Sequence, residues 1–279
     1  MPTRHPLAQS RMATESAQRP TLKTLIGKGL TSEVYTHGEG RVIKLFHSLR
    51  PVSLAQREFL VARAVHQGGI PAPAAFEITQ VANRLGIVFE HVRGPSILRL
   101  VELKPYKLFW GARLLAHLHA QVHACCPPQE IPDQHGQIQR WIEEGDAYLT
   151  PGQKETARKL LAELPPGDCL CHGDFHPANI LMTTAGPIII DWSTGTRGYP
   201  LADVARTSVL FESASLPDDS PWHTHLLMKL SRHLLHATYL KRYLKLRPGT
   251  LEEIERWRVL QRLATPAIRA KIEALNQTG

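Results

Sequence analysis

A polar loop framed by short apolar runs constrains this chain more than any other feature. Residues 171–182 read CHGDFHPANILM, and residues 188–192 follow with IIIDW. The apolar runs are too short for helices, and Gly173 and Pro177 interrupt any helical pattern between them. Short strands are therefore expected at 168–171, 180–183 and 187–191, with His172, Asp174, Asn179 and Asp191 displayed at their ends. Phosphoryl transfer asks for that set of groups: a carboxylate to orient an acceptor hydroxyl, and oxygen donors to hold Mg²⁺ on the phosphates. His172 and His176 have a zinc-like spacing, but the same glycine and proline deny them the helix that such a pair needs.

These residues resemble the catalytic loop of the aminoglycoside phosphotransferase and choline kinase family, a branch of the protein-kinase-like fold. Its pattern is His-Gly-Asp, four residues, Asn, and then an apolar strand ending in Asp. The chain matches at His172, Gly173, Asp174, Asn179 and Asp191, and carries Trp192 where protein kinases carry Phe. The resemblance implies Asp174 as catalytic base or hydroxyl-orienting group, Asn179 and Asp191 as magnesium ligands, and His172 as support of the loop. It also implies that Asp203, in YPLADVAR, braces that loop. It extends over roughly residues 24–210. The fold it implies is α+β and two-lobed, with a small antiparallel-sheet N-lobe carrying one helix and a larger helical C-lobe.

The first third of the chain can be read independently. Strand-like runs flank the turn IGKGLTSEVY, where Gly27, Gly29, Thr31 and Ser32 could bring backbone N–H groups close to phosphates. Ser32 stands where protein kinases have a third glycine, which leaves ATP or GTP open as donor. In VIKLF, alternation places Lys44 on the face opposite Ile43 and Leu45. Glu58 is the only acidic residue between Arg41 and Phe76, and it falls on a helix predicted over 53–67. It is thus the expected carboxylate partner of Lys44, the pair that the resemblance requires. Strands near 74–79 and 85–90 lead to a hinge at Phe89–Val92, where the backbone of Glu90 and Val92 would meet the nucleobase.

The expected organisation is a disordered tail at 1–20, a nucleotide-binding N-lobe at 21–93, and a helical C-lobe at 94–279 with the catalytic loop and acceptor site. Helices are expected over 106–123 and about 137–163, and throughout the region after 202, with breaks at 217–221 and 248–249. Residues 192–202 alone separate Asp191 from Asp203. That is too short for a peptide-docking segment, so the acceptor is expected to be a small molecule. Weak candidates for its contacts are Glu143, Glu144 and Asp146, then Glu212, Asp218 and Asp219.

The net charge of +8 disfavours a polycationic acceptor at long range, so a neutral or zwitterionic metabolite is expected. An aromatic box for a quaternary ammonium would draw on Trp110, Trp141, Trp222 and Trp257. The basic residues after 221 sit in helical apolar patterns, and their charges read as solvated helix faces rather than a nucleic-acid surface. No apolar run reaches the roughly 20 residues of a membrane span. The four cysteines lack metal-knuckle spacing, and the start of the chain lacks a secretory apolar core, so a reducing cytoplasm is expected. The alternative reading is a non-catalytic kinase-like module that binds nucleotide without turnover. Oligomeric state is not legible.

Overall fold

The computed structural model describes residues 24–29, 31–47, 52–125, 127, 130–145, 149–213 and 222–277. The N-terminal part is one antiparallel five-stranded sheet in the order β1 (Leu25–Lys28), β2 (Ser32–Thr36), β3 (Arg41–Phe46), β5 (Arg84–Glu90), β4 (Ala75–Val81). Helix α1 (Val52–Gln67) packs on it. The pleat of RVIKLF sorts its side chains as alternation requires. Ile43 and Leu45 are fully buried with Val81 and Val88, whereas Val42 and Phe46 join Ala55 and Ala62 of α1 on the opposite face.

The remainder is mostly helical: α2 (Ile97–Leu103), α3 (Leu108–Val122), α4 (Gln134–Glu143), α5 (Pro151–Glu163), α6 (Pro200–Ser213), α7 (Trp222–Leu246) and α8 (Leu251–Gln277). Two small ribbons sit among them, β6 (Cys169–Cys171) with β9 (Thr196–Gly198) and β7 (Ile180–Thr183) with β8 (Gly186–Ile189). This is the expected α+β, two-lobed architecture. One apolar cluster runs through Leu115 and Leu118 of α3, Val204 of α6, Tyr239 and Tyr243 of α7, and Trp257 of α8. Val61 and Val65 of α1 belong to the same cluster, so the sheet-bearing part is anchored on the helical core.

Two expectations need correction. The segment before Leu108 is not one helix with α3. Ser96 caps a separate α2, accepting from the Arg99 N–H at 3.1 Å, and Pro105 opens a short 3-10 turn before α3 begins. The expected helix over 137–163 is likewise two. Thr150 and Gln153 form a capping box with Pro151 in the first turn, which starts α5 afresh. Residues 1–20, Asp146, Asp218 and Asp219 lie outside the described residues.

Gly94 follows the strand that ends the sheet and fixes how the chain enters the helical part. Its φ is +158°, and a Cβ there would overlap the carbonyl oxygen of Met182 in β7. Gly94→Ala combines backbone strain with steric overlap and should cost about 2–3 kcal/mol. A fall in the urea midpoint at unchanged m-value checks this.

Candidate active site

Lys44 leaves the centre of β3 on the side of α1, where water is excluded. Its Nζ donates to Glu58 Oε1 at 2.7 Å and to Asp191 Oδ1 at 2.8 Å. Burial pulls the ammonium down, but Asp191 and then Glu58 outweigh it and hold Lys44 above its ordinary value. Burial likewise pushes Asp191 up, and Lys44 overrides it, holding that carboxyl far below the usual range. Asp191 sits at φ +62°, a left-handed conformation rare for a residue with a side chain. Ser193 Oγ adds a second hydrogen bond to Asp191 Oδ1 at 2.8 Å.

Asp174 and Asn179 are brought together by the loop between β6 and β7. The Asn179 side-chain N–H₂ donates to the Asp174 backbone carbonyl at 2.9 Å and to Asp174 Oδ2 at 3.1 Å. His176 Nε2 lies 3.5 Å from the same Oδ2, while its Nδ1 accepts from the Ala178 N–H. Oδ2 is therefore the oxygen held by both Asn179 and His176. Burial raises the Asp174 carboxyl, but the hydrogen bond and charge of His176 keep it below its ordinary value, so it is ionised at neutral pH. With its nitrogen committed to Asp174, Asn179 offers a carbonyl oxygen. That oxygen and the second oxygen of Asp191 are hard neutral and anionic donors, a set that suits Mg²⁺.

The loop itself is pinned at nearly every polar atom. His172 Nε2 bonds the Ile190 carbonyl at 3.1 Å, and its Nδ1 accepts from the Asp174 N–H at 3.2 Å. Gly173 has φ +79°, and a Cβ there would lie 2.6 Å from the Thr194 carbonyl. Beneath the loop, Asp203 Oδ2 accepts from the His172 N–H at 2.6 Å, and Oδ1 accepts from the Gly173 N–H at 2.8 Å. Two further donors reach Oδ2 from α3 and the residue that caps it: His119 Nε2 at 3.0 Å and His123 Nε2 at 3.2 Å. Their Nδ1 atoms face the hydroxyls of Tyr239 and Tyr243 on α7, at 2.7 and 2.6 Å. Each imidazole thus donates to Asp203 and accepts from a tyrosine.

His119, His123 and Asp203 are wholly buried and close enough for a metal cluster. Four N–H donors already occupy the carboxylate, however, and the distances are those of direct hydrogen bonds. None of His119, His123, Tyr239 and Tyr243 stood out from the sequence as site residues. The i,i+4 histidines inside an apolar helical run were the available signal. Arg206 was also passed over. It is buried, and its Nε donates to the Gly173 carbonyl at 2.8 Å.

The other candidates are placed as follows. Gly27 is in β1, Gly29 donates its N–H to the Ser32 carbonyl at 2.9 Å, and the Thr31 carbonyl accepts from the His47 N–H. At the hinge, the Glu90 carbonyl takes the Val92 N–H at 3.1 Å, so those two backbone groups are bonded to each other. Glu143 is exposed and paired with Arg158 at 2.7 Å, Glu144 is exposed, and Glu212 is held by Arg258 and Arg262. Of the tryptophans, Trp257 is fully buried, Trp110 is exposed, and Trp141 lies over Arg206 beside the catalytic loop.

Residues 24–219 match the model of the phosphotransferase enzyme family, and the chain belongs to that family. Among solved structures it is similar to an aminoglycoside-3'-phosphotransferase of type VIII, at 21% identity and a TM-score of 0.59, covering 88% of this chain and 94% of that one. A choline kinase from Cryptosporidium parvum matches at 14% identity and a TM-score of 0.56, covering 93% and 87%. These likenesses establish the protein-kinase-like fold. Among curated proteins, acyl-CoA dehydrogenase family member 11 of Gallus gallus is 32% identical over 177 residues, 56% of this chain and 23% of that protein. The chain thus spans under a quarter of the curated relatives it matches.

The buried histidines make stability depend on pH. Burial, reinforced by the neighbouring charge of His123, pulls His119 from its ordinary 6.5 down to about 4. Between those values the unfolded chain binds a proton that the native one refuses, so stability falls as pH drops through that window. From His119 alone the loss between pH 7.5 and pH 5 should be on the order of 2 kcal/mol. Urea unfolding at the two pH values measures it, and His119→Gln should remove most of that increment.

Proposed function

We propose that this chain transfers the γ-phosphoryl group of magnesium-bound ATP or GTP to a hydroxyl of a small molecule. The observation that carries the reading is the convergence of buried Lys44 and Glu58 with half-buried Asp191 in one ion cluster beside Asp174. Three separate elements commit charges there that burial opposes, an arrangement hard to account for by stability alone. Membership of a phosphotransferase family supports the same chemistry.

In this reading residues 21–93 bind the nucleotide, and residues 94–279 supply the catalytic loop and the acceptor site. Lys44 holds the phosphates through the proton it keeps, and Glu58 fixes its position. The turn with Gly27, Gly29, Thr31 and Ser32 covers the phosphates, and the Glu90 and Val92 backbone meets the base once their mutual hydrogen bond opens. Asn179 and Asp191 would hold Mg²⁺, which neutralises charge on the transferred group when bound. Asp174, ionised and fixed at Oδ2 by Asn179 and His176, receives the acceptor hydroxyl at Oδ1 and takes its proton. Asp203 and His172 keep that oxygen in place. The similar solved proteins include enzymes named for aminoglycosides and for choline, which supports a small-molecule acceptor.

Two substitutions separate chemistry from binding. Asp174→Asn keeps the shape of the side chain and loses the base, so turnover should fall by about two to four orders of magnitude with nucleotide affinity intact. Asp191→Ala removes a metal donor and leaves Lys44 with Glu58 alone, so magnesium-dependent nucleotide affinity should fall as well. Steady-state kinetics with calorimetric nucleotide titration reads both. Full turnover in either variant would refute the assignment.

A further inference from the structure

The side of the catalytic loop away from Lys44 carries positive charge of a different kind. Arg57 precedes Glu58 on α1, and neighbouring helix positions point about 100° apart. Glu58 therefore turns to Lys44, while Arg57 turns across the interface to α4. Its Nη1 donates to Gln137 Oε1, and its Nη2 donates to the Gly195 carbonyl at 3.4 Å, next to the segment that follows Asp191. Its Nε is buried without a hydrogen-bond partner. Arg140, one turn further along α4, donates to the same Gln137 Oε1 at 3.2 Å. Two guanidinium groups thus share one neutral amide oxygen. Among the described residues neither has a carboxylate partner.

The cost of this placement falls on Arg57, which is half-buried, whereas Arg140 is exposed. Burial comes first and the charge of Arg140 second, and together they pull Arg57 down to about 10. Several other arginines of the chain meet a carboxylate: Arg84 meets Glu33, Arg158 meets Glu143, and Arg258 and Arg262 meet Glu212. A forked pair of guanidiniums without a counterion matches a phosphate or carboxylate, which each can bind through two parallel N–H donors. The position also fits the reaction. Gln137, the residue the two arginines share, lines a cavity with Gly173, Thr194 and Arg206, and Arg57 itself reaches the Gly195 carbonyl next to Thr194.

We propose that Arg57 and Arg140 form an anion subsite that takes a phosphate or carboxylate group carried by the hydroxyl acceptor, displacing Gln137 Oε1. Identifying the ligand as the acceptor rests on the phosphotransferase reading. In this reading the acceptor is anionic rather than neutral or zwitterionic, and its contacts come from Arg57 and Arg140 rather than from Glu143 or Glu144. Because Arg57 belongs to α1 and Arg140 to α4, an anion held by both draws the two lobes together as the acceptor binds. A polycation would meet repulsion at this point.

The test is a titration of the full chain with inorganic phosphate, with magnesium and a non-hydrolysable ATP analogue saturating the nucleotide site. Wild type and Asp174→Asn should show one saturable site of equal affinity. Arg57→Gln combined with Arg140→Gln should bind at least tenfold more weakly while keeping its affinity for the analogue. Should that variant melt early, Arg140→Gln alone, at an exposed position, should still weaken phosphate several-fold. Glycerol 3-phosphate, which adds a hydroxyl to the anion, should compete with phosphate, whereas glycerol should not.

Equal phosphate affinity in wild type and the arginine variants, or no saturable binding, would overturn the subsite and leave the phosphotransferase reading standing. Phosphate binding that glycerol 3-phosphate cannot displace would overturn its assignment to the acceptor. A wild type that fails to bind the analogue would instead refute the phosphotransferase reading itself.

Discussion

A buried ammonium is expensive to remove from water, and Lys44 is tolerable in its position only because two carboxylates come to it. That requirement couples three parts of the chain. β3 must run in the register that turns Lys44 towards α1, α1 must present Glu58 at that height, and the residues after β8 must fold back to deliver Asp191. The left-handed backbone at Asp191 is part of the same constraint, because it aims a carboxylate out of the loop and towards the sheet. This charge balance, together with the packing of Val61 and Val65 into the helical core, ties the sheet-bearing part to the catalytic-loop region.

A second buried carboxylate does the equivalent work beneath the loop. Asp203 receives two backbone N–H groups from the loop and two imidazole N–H groups from α3 and the residue that caps it, and α7 closes the set through two tyrosine hydroxyls. A carboxylate with all of its partners rigidifies what it touches, and one with a missing partner would be a liability at this depth. The Asp174 carboxylate is consequently held from below by elements far from it in sequence.

What could be read from the sequence follows the range of the interactions. Asp174, Asn179 and Asp191 lie within one loop and its flanking strands, so their residue types and the family resemblance they carry marked them as a set. The proximity of Lys44 to Glu58 followed from strand alternation and from the scarcity of acidic residues nearby. The tyrosines that orient His119 and His123 are 120 residues away from them, and no local pattern announces such a pairing. The partners of the acidic candidates on α4 and α6 were out of reach for a related reason. Glu143 and Glu212 answer arginines on α5 and α8, a choice made by tertiary packing. The split between α4 and α5 was legible in Thr150, Pro151 and Gln153, whose cap outweighs the apolar periodicity running through them.

The most direct test of the account is phosphorus NMR of purified protein with magnesium and ATP or GTP, offered small hydroxyl compounds with and without an anionic group. The account predicts a new phosphomonoester resonance that grows with diphosphate, depends on the acceptor and is strongest for anionic ones. Consumption of nucleotide to orthophosphate at one rate with or without acceptor, or no consumption with any of them, would contradict it.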